Sequence, residues 1–191
     1  MQHQIRRAGA TRRSGFSMIE VMVVAILLLV AVGGLSGAVL SSLRLSRTTE
    51  ESSIADDAAR ALAARMQLET FSEIFRRYNG TDVDDVGLGV VPGNAFDVPG
   101  LTPREDDPDG RVGRVVFPSV ELPGGLEALS EQAVEPRLGM AEGAPRDLNL
   151  DGDVLDLLTF DYVLLPVRLV LEWTGAGGDR SYELDLLLVQ Q

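Results

Sequence analysis

Cysteine and lysine are absent from the 191 residues, and the one histidine is His3. No disulfide framework and no thiolate chemistry are therefore available, a condition met on either side of a membrane. With its histidine so near the start, the body of the chain has no serine or cysteine triad and no histidine metal site. All 17 basic residues are arginines, set against 29 acids, for a formal net charge of −12. So acidic a chain lacks the clustered positive charge that a phosphate backbone requires, and no nucleic-acid partner is expected. Proline is missing from Phe16 through Tyr78. Among enzyme classes only a carboxylate-only hydrolase is left open by composition. The reading taken is that the protein is not an enzyme.

What is present is concentrated at the N-terminus. Arg6, Arg7, Arg12 and Arg13 come first, with no acid among them, followed by Gly15-Phe16-Ser17-Met18-Ile19-Glu20 and an apolar run from Val21 to Leu40. About twenty apolar or small residues make a helix of about 30 Å, just enough to cross the hydrocarbon core of a bilayer. The arginines orient such a helix, staying cytoplasmic while the C-terminal body goes outside. Glu20 is the anomaly. A carboxylate costs about 2.5–3.5 kcal/mol at the centre of a membrane helix and less near an interface, so one retained there calls for a partner. Two simpler readings stand beside this: a secretory signal cut near Gly33-Gly34 or Ser36-Gly37, and a plain membrane anchor. Against the first, the apolar run exceeds a usual signal core and carries Glu20 at its start.

The order glycine, phenylalanine, a glutamate at the fifth residue counted from Phe16, and an unbroken apolar helix resembles the prepilin signature of type IV pilins and type II secretion pseudopilins. The likeness covers about Arg6 to Leu40. It implies cleavage by prepilin peptidase between Gly15 and Phe16, with N-methylation of Phe16, and a helix retained as the core of a filament. It also implies that Glu20 pairs with the N-terminal amine of a neighbouring subunit. Losing the four leader arginines would lower the net charge from −12 to −16. Many major pilins carry a helix-breaking proline in this region, and this chain departs from them. Gly33, Gly34 and Gly37 are left as sites of close helix packing or of local melting, since glycine costs about 1 kcal/mol relative to alanine in a helix.

The organisation expected is a basic leader over 1–15, a membrane and filament-core helix over 16–40, its amphipathic continuation over 41–79, and a globular body over 80–191. Ile54, Ala58, Ala61, Leu62, Leu68, Phe71 and Phe75 recur at helical spacing, and Asn79-Gly80 supplies a stop with Gly80 as a left-handed cap. Gly80 to Gly110 is rich in acids and turn formers, with one or two short strands expected inside it. Arg111 to Val120 reads as a strand ending at Pro118. Leu126 to Val134 reads as a helical turn or two or an irregular excursion. Phe160 to Trp173 and Ser181 to Val189 read as a closing hairpin, with Pro166 marking a bulge or an edge. The fold class is α+β: one long N-terminal helix packed on a small antiparallel sheet.

A second stretch carries chemistry. From Asp147 through Asn149, Asp151 and Asp153 oxygen side chains alternate, and Gly152 occupies the sixth place, as in the first half of a calcium loop. Alternate side chains converge on one point when glycine permits the sharp turn, and Asp153 would offer its carbonyl at the seventh place. The twelfth place, where a bidentate glutamate belongs, holds Leu158, so Asp156 or Asp161 must substitute. With no helix expected on either side, an EF-hand is excluded and an isolated loop for Ca2+ is the candidate. The bland alternative is an acidic turn that binds no metal.

The function expected is that of a membrane-anchored filament subunit, most like a minor pilin of the V type or a minor pseudopilin of the I type. Its partners are other pilin or pseudopilin subunits, prepilin peptidase and the bacterial inner membrane, with the body periplasmic. The alternative is an adhesin or ligand-binding tip module on the same helix, which needs an exposed aromatic patch.

Overall fold

The computed structural model describes residues 15–141 and 146–190. The leader arginines Arg6, Arg7, Arg12 and Arg13 lie outside the described residues. The chain divides into two compact units, Met1–Leu43 and Arg44–Gln191.

Helix α1 spans Met18–Leu68 and passes through both units. In the first unit its residues are exposed among the described residues, including Val21 through Leu40. The helix is long and apolar enough to cross a membrane. It runs unbroken through Gly33, Gly34 and Gly37, where an added Cβ would meet nothing within 4 Å. The helix begins at Met18, and Ser17 accepts the N–H groups of Glu20 at 3.0 Å and Val21 at 3.2 Å.

In the second unit α1 buries Ala55, Ala59, Ala63 and Met66, a row of mainly small residues one turn apart that lets a sheet approach closely. The helix stops at Leu68, short of the stop expected at Asn79-Gly80. Thr70 is extended (φ −63°, ψ 119°), and a separate helix α2 follows over Phe71–Tyr78. No proline or glycine marks this break. Tertiary packing makes it: the turn re-aims Ile74, Phe75 and Tyr78 into the core, where the Phe75 ring meets Phe117 edge-on at 5.2 Å. Arg77 spans the corner, 2.9 Å from Glu73 and 3.7 Å from Glu69. Gly80 is not a left-handed cap either; its missing side chain makes room for Glu127, whose Oε1 would lie 2.8 Å from a Cβ.

Two antiparallel sheets follow rather than one. The first has the order β1 (Ala95–Phe96), β2 (Gly113–Val116), β6 (Leu164–Gly175), β7 (Gly178–Val189). The second has β3 (Ser119–Leu122), β4 (Leu126–Ser130) and β5 (Leu157–Leu158). The strand expected to end at Pro118 is β2, which closes at Val116, and beyond the proline Ser119 begins a strand of the other sheet; Leu126–Ser130 is a strand rather than helical turns. β6 is central, and Pro166 makes neither an edge nor a bulge there. Its alternate residues Leu165, Val167, Leu169, Leu171 and Trp173 are all buried, each worth about 1.5–3 kcal/mol as a removed apolar side chain. They form one core with the buried face of α1 and with α2.

The hairpin tip is clasped to α1 by polar contacts. Glu51 accepts the N–H of Ala176 at 3.1 Å and Trp173 Nε1–H at 3.5 Å, and Tyr182 donates its hydroxyl to Asp56. Arg60 also holds Asp56, and these two bonds, the arginine's the stronger, keep its carboxyl below the usual range.

Candidate functional site

Two sets of residues are arranged for chemistry, one in each unit. At the N-terminus, Gly15, Phe16 and Ser17 precede α1 in non-helical backbone and are exposed, as an enzyme that cuts between Gly15 and Phe16 requires. Phe16 presents 80% of its surface. Glu20 sits in the first helical turn, also exposed, one turn beyond Phe16. A carboxylate there meets the positive end of the helix dipole.

The second set is built on the two ends of a loop. β4 delivers Glu131 just past its last residue, Ser130, and Glu131 is wholly buried. Its Oε1 accepts the N–H of Leu148 at 2.6 Å and its Oε2 accepts that of Asp156 at 3.2 Å. Leu148 is itself buried, and its carbonyl accepts from Val163 at 2.8 Å and Leu164 at 2.9 Å. The acidic loop is thereby tied to β4 on one side and to the start of β6 on the other.

Within the loop each side-chain oxygen holds a backbone N–H further on. Asp147 accepts from Leu150 and Gly152, Asn149 from Asp151 at 3.1 Å, Asp151 from Asp153 at 3.0 Å, and Asp153 from Leu155 at 2.9 Å. These bonds wind the segment so tightly that Leu150 takes φ 63°, a left-handed conformation otherwise found only at glycines among the described residues, while Gly152 takes φ 99°.

One carboxylate oxygen each from Glu131, Asp153 and Asp156 lies within 4.8 Å of the others. Oxygen ligands 2.3–2.6 Å from a hard cation stand about this far apart, so the triad could hold a metal ion. Asn149 Nδ2 donates to Asp156 and Asp151, both at 3.2 Å, which brings the third and fifth loop positions to the same place. Asp147 joins only through the loop backbone. Of the two substitutes considered for the twelfth position, Asp156 converges, while Asp161 is exposed and takes no part in the triad. Leu158 is buried in β5.

Glu131 was not legible as a ligand. It stands sixteen residues before Asp147, outside any loop spacing, and nothing in the sequence marks it beyond its place just after Leu126–Ser130. Among the described residues no arginine forms an ion pair with it. A buried carboxylate held only by two N–H groups has room for a cation's charge, since burying a charge is costly unless it is paired.

Of the aromatic side chains in the second unit, Phe160 is exposed, while the tryptophan and the tyrosines are turned inward. Trp173, Tyr78 and Tyr162 are buried and Tyr182 is half-buried against α1.

Compared with known proteins, residues 10–36 match the prokaryotic N-terminal methylation motif. No curated protein and no solved structure matches the chain.

Proposed function

We propose that this chain, which carries the prepilin-type N-terminal signature of type IV pilins and pseudopilins, is a minor subunit of a type IV pilus or type II secretion pseudopilus. The signature supports a pilin-type protein processed by prepilin peptidase, and with it a structural rather than enzymatic role. The observation that carries the filament reading is a register: Gly15, Phe16 and Glu20 stand in order at the head of a helix whose apolar residues are exposed through Leu43; the minor role rests on the long acidic body and the absence of cysteine. In this reading residues 1–15 are the leader and residues 16–40 wait in the inner membrane, with the acidic body periplasmic. Assembly moves the apolar stretch from lipid into a bundle of like helices. Glu20 then meets the new amine on a neighbour's Phe16, because a carboxylate in apolar surroundings is tolerable only when paired.

The test has two arms. Mass spectrometry of protein from cells should find a mature chain beginning at methylated Phe16. Glu20→Ala should leave that processing intact while reducing co-purification of partner subunits at least tenfold. Undiminished assembly by the variant removes the role given to Glu20. A mature chain beginning after Gly37 removes the filament altogether.

The acidic loop is read as a calcium site that serves this same architecture. Asp153, Asp156 and Glu131 supply the converging carboxylates, with Asn149 and Asp151 beside them and Asp147 shaping the turn. Hard oxygen donors in an irregular loop suit Ca2+ better than the octahedral demand of Mg2+. A bound ion would neutralise crowded carboxylates and fasten the segment that leads into β6.

A further inference from the structure

The four-stranded sheet has two edges, and they are finished differently. β1 is two residues long. Beyond it the flank of β6 is closed by the loop before β2, where Thr174 donates its N–H to Thr102 at 2.9 Å and Glu172 to Val112 at 2.8 Å. β7 runs twelve residues and, among the described residues, pairs with β6 alone. Pro166 reveals which of its backbone groups point outward. A proline has no N–H to give, so its pairing with Leu187 is a non-hydrogen-bonded one, and the two-residue turn between Gly175 and Gly178 sets the same phase. Alternation then turns the N–H and C=O groups of the odd-numbered residues from Asp179 to Val189 away from β6. Natural edges are blunted by proline, bulges or charge; β7 has neither proline nor bulge, and the charge along its outward face, from Asp179, Glu183 and Asp185, is acidic.

The two faces of this edge differ in character. Tyr182, Leu184 and Leu186 face the core but are only half covered. At its C-terminal end, Leu187, Leu188 and Val189 line an open groove of about 790 Å³ whose far wall includes Leu68, Phe71 and Ile74. The opposite face carries Asp179, Glu183 and Asp185. Arg137 pairs with Glu183, Arg168 is shared by Asp185 and Glu135, and Arg104 by Asp179, Glu172 and Asp106; three arginines serve six carboxylates, so negative charge stays in excess there.

That excess decides between occupants. A second copy would pair β7 with β7 antiparallel. In the fullest overlaps, centred on residues 183, 184 or 185, Glu183 faces Glu183, Glu183 faces Asp185, or Asp185 faces Asp185. Like charges directly opposed across strands are destabilising. A different chain with arginine or lysine at those places meets no such penalty.

We propose that the free edge of β7 is a docking site for an extended segment of another polypeptide, one that alternates basic residues, set against Glu183 and Asp185, with apolar residues directed toward Leu184, Leu186 and the groove. Main-chain bonds to the outward groups give the affinity, and the alternation gives the selectivity. This goes beyond the filament reading and does not rest on it, so a failed Glu20→Ala assembly test leaves the edge measurement intact.

The test uses the full chain in detergent and two labelled nine-residue peptides, one alternating valine with arginine and one alternating valine with glutamate, at 0.15 M salt. The arginine peptide should bind and protect the amides of Ser181, Glu183, Asp185 and Leu187 from hydrogen exchange; the glutamate peptide should do neither. Ser181→Pro and Leu187→Pro each remove one outward N–H without touching the β6 ladder, and each should weaken binding at least tenfold with an unchanged melting temperature. Binding without protection of those four amides would mean general charge attraction and would overturn the proposal. So would equal binding of both peptides. Dimers of the chain that the same prolines abolish would assign the edge to a second copy, overturning the heterologous partner. Should either proline variant fail to fold, the exchange pattern of the unaltered protein decides.

Discussion

Glu131 and Asp156 hold each other twice: the N–H of Glu131 bonds the carbonyl of Asp156 at 3.3 Å, and the N–H of Asp156 bonds Glu131 Oε2 at 3.2 Å. The pair closes a loop of twenty-five residues around a set of carboxylates. Because one member is a buried side chain and the other a main-chain group, the geometry survives only while Glu131 keeps its place.

Calcium should therefore raise the melting temperature of the full chain in detergent, and Glu131→Gln should abolish the rise. At a hundredfold excess over Kd, binding to the native state alone contributes about 2.7 kcal/mol, and each kcal/mol is worth about 2–4 °C in a domain of this size. Asp151→Ala should weaken the response, whereas Asp161→Ala should leave it unchanged. An identical rise in the Glu131 variant would show that the ion binds elsewhere. Magnesium at the same concentration should give a smaller rise.

Tyr162 is a second long-range tie. Its hydroxyl donates to the carbonyl of Phe71 at 2.9 Å and accepts the N–H of Phe75 at 3.4 Å, joining α2 to the approach of β6. Burial pushes its ionisation up to about 12 from an ordinary value near 10. The unfolded chain thus releases this proton first. The contribution is complete below pH 10 and is lost as pH rises from there toward 12, by about 2–3 kcal/mol. Tyr162→Phe should cost about 1 kcal/mol at neutral pH. Denaturant titrations at pH 8 and pH 11 should show the variant losing less stability on alkalinisation than the parent chain.

Gly113 faces Phe96 across the β1–β2 pair, and an added Cβ would lie 2.3 Å from two atoms of the ring. Gly113→Ala should destabilise by about 1–3 kcal/mol, as overpacking does. Phe96→Leu made in the same chain should recover part of this loss. A double-mutant cycle reads the coupling, and strict additivity would mean that the ring simply swings aside.

Glu51→Ala should free the hairpin tip. The N–H groups of Ala176 and Trp173 Nε1 lose their acceptor, at a cost of about 1–2 kcal/mol, and Glu51→Gln should restore part of it. Hydrogen exchange at Ala176 should quicken more than exchange in the centre of β6, since the opening is local. Uniform quickening along the hairpin would indicate that Glu51 supports the whole sheet instead.

A helix long and apolar enough to cross a membrane was legible without any fold, because an apolar run dictates it, and so was the N-terminal motif over residues 10–36, because it is set by neighbours in the chain. The α+β class and the closing hairpin were likewise written in local pattern: period-two alternation from Leu164 onward and a Gly-Ala-Gly-Gly turn. Asp147, Asn149, Asp151 and Asp153 announced a candidate loop for the same reason, since turn chemistry acts over a few residues. Tertiary structure alone decided the rest. The end of α1 at Leu68 has no breaker to mark it, because the gain comes from burying Ile74 and Phe75 rather than from any local strain. Pro118 marked the end of β2 in the sequence, but that Ser119–Leu122 joins a second sheet depends on its pairing with β4. Glu131 enters the acidic cluster across β4 and β5, a contact that no spacing rule along the chain encodes. Local interactions are readable in order because their partners lie within one turn, whereas burial and ligation by distant residues exist only once the core has brought them together.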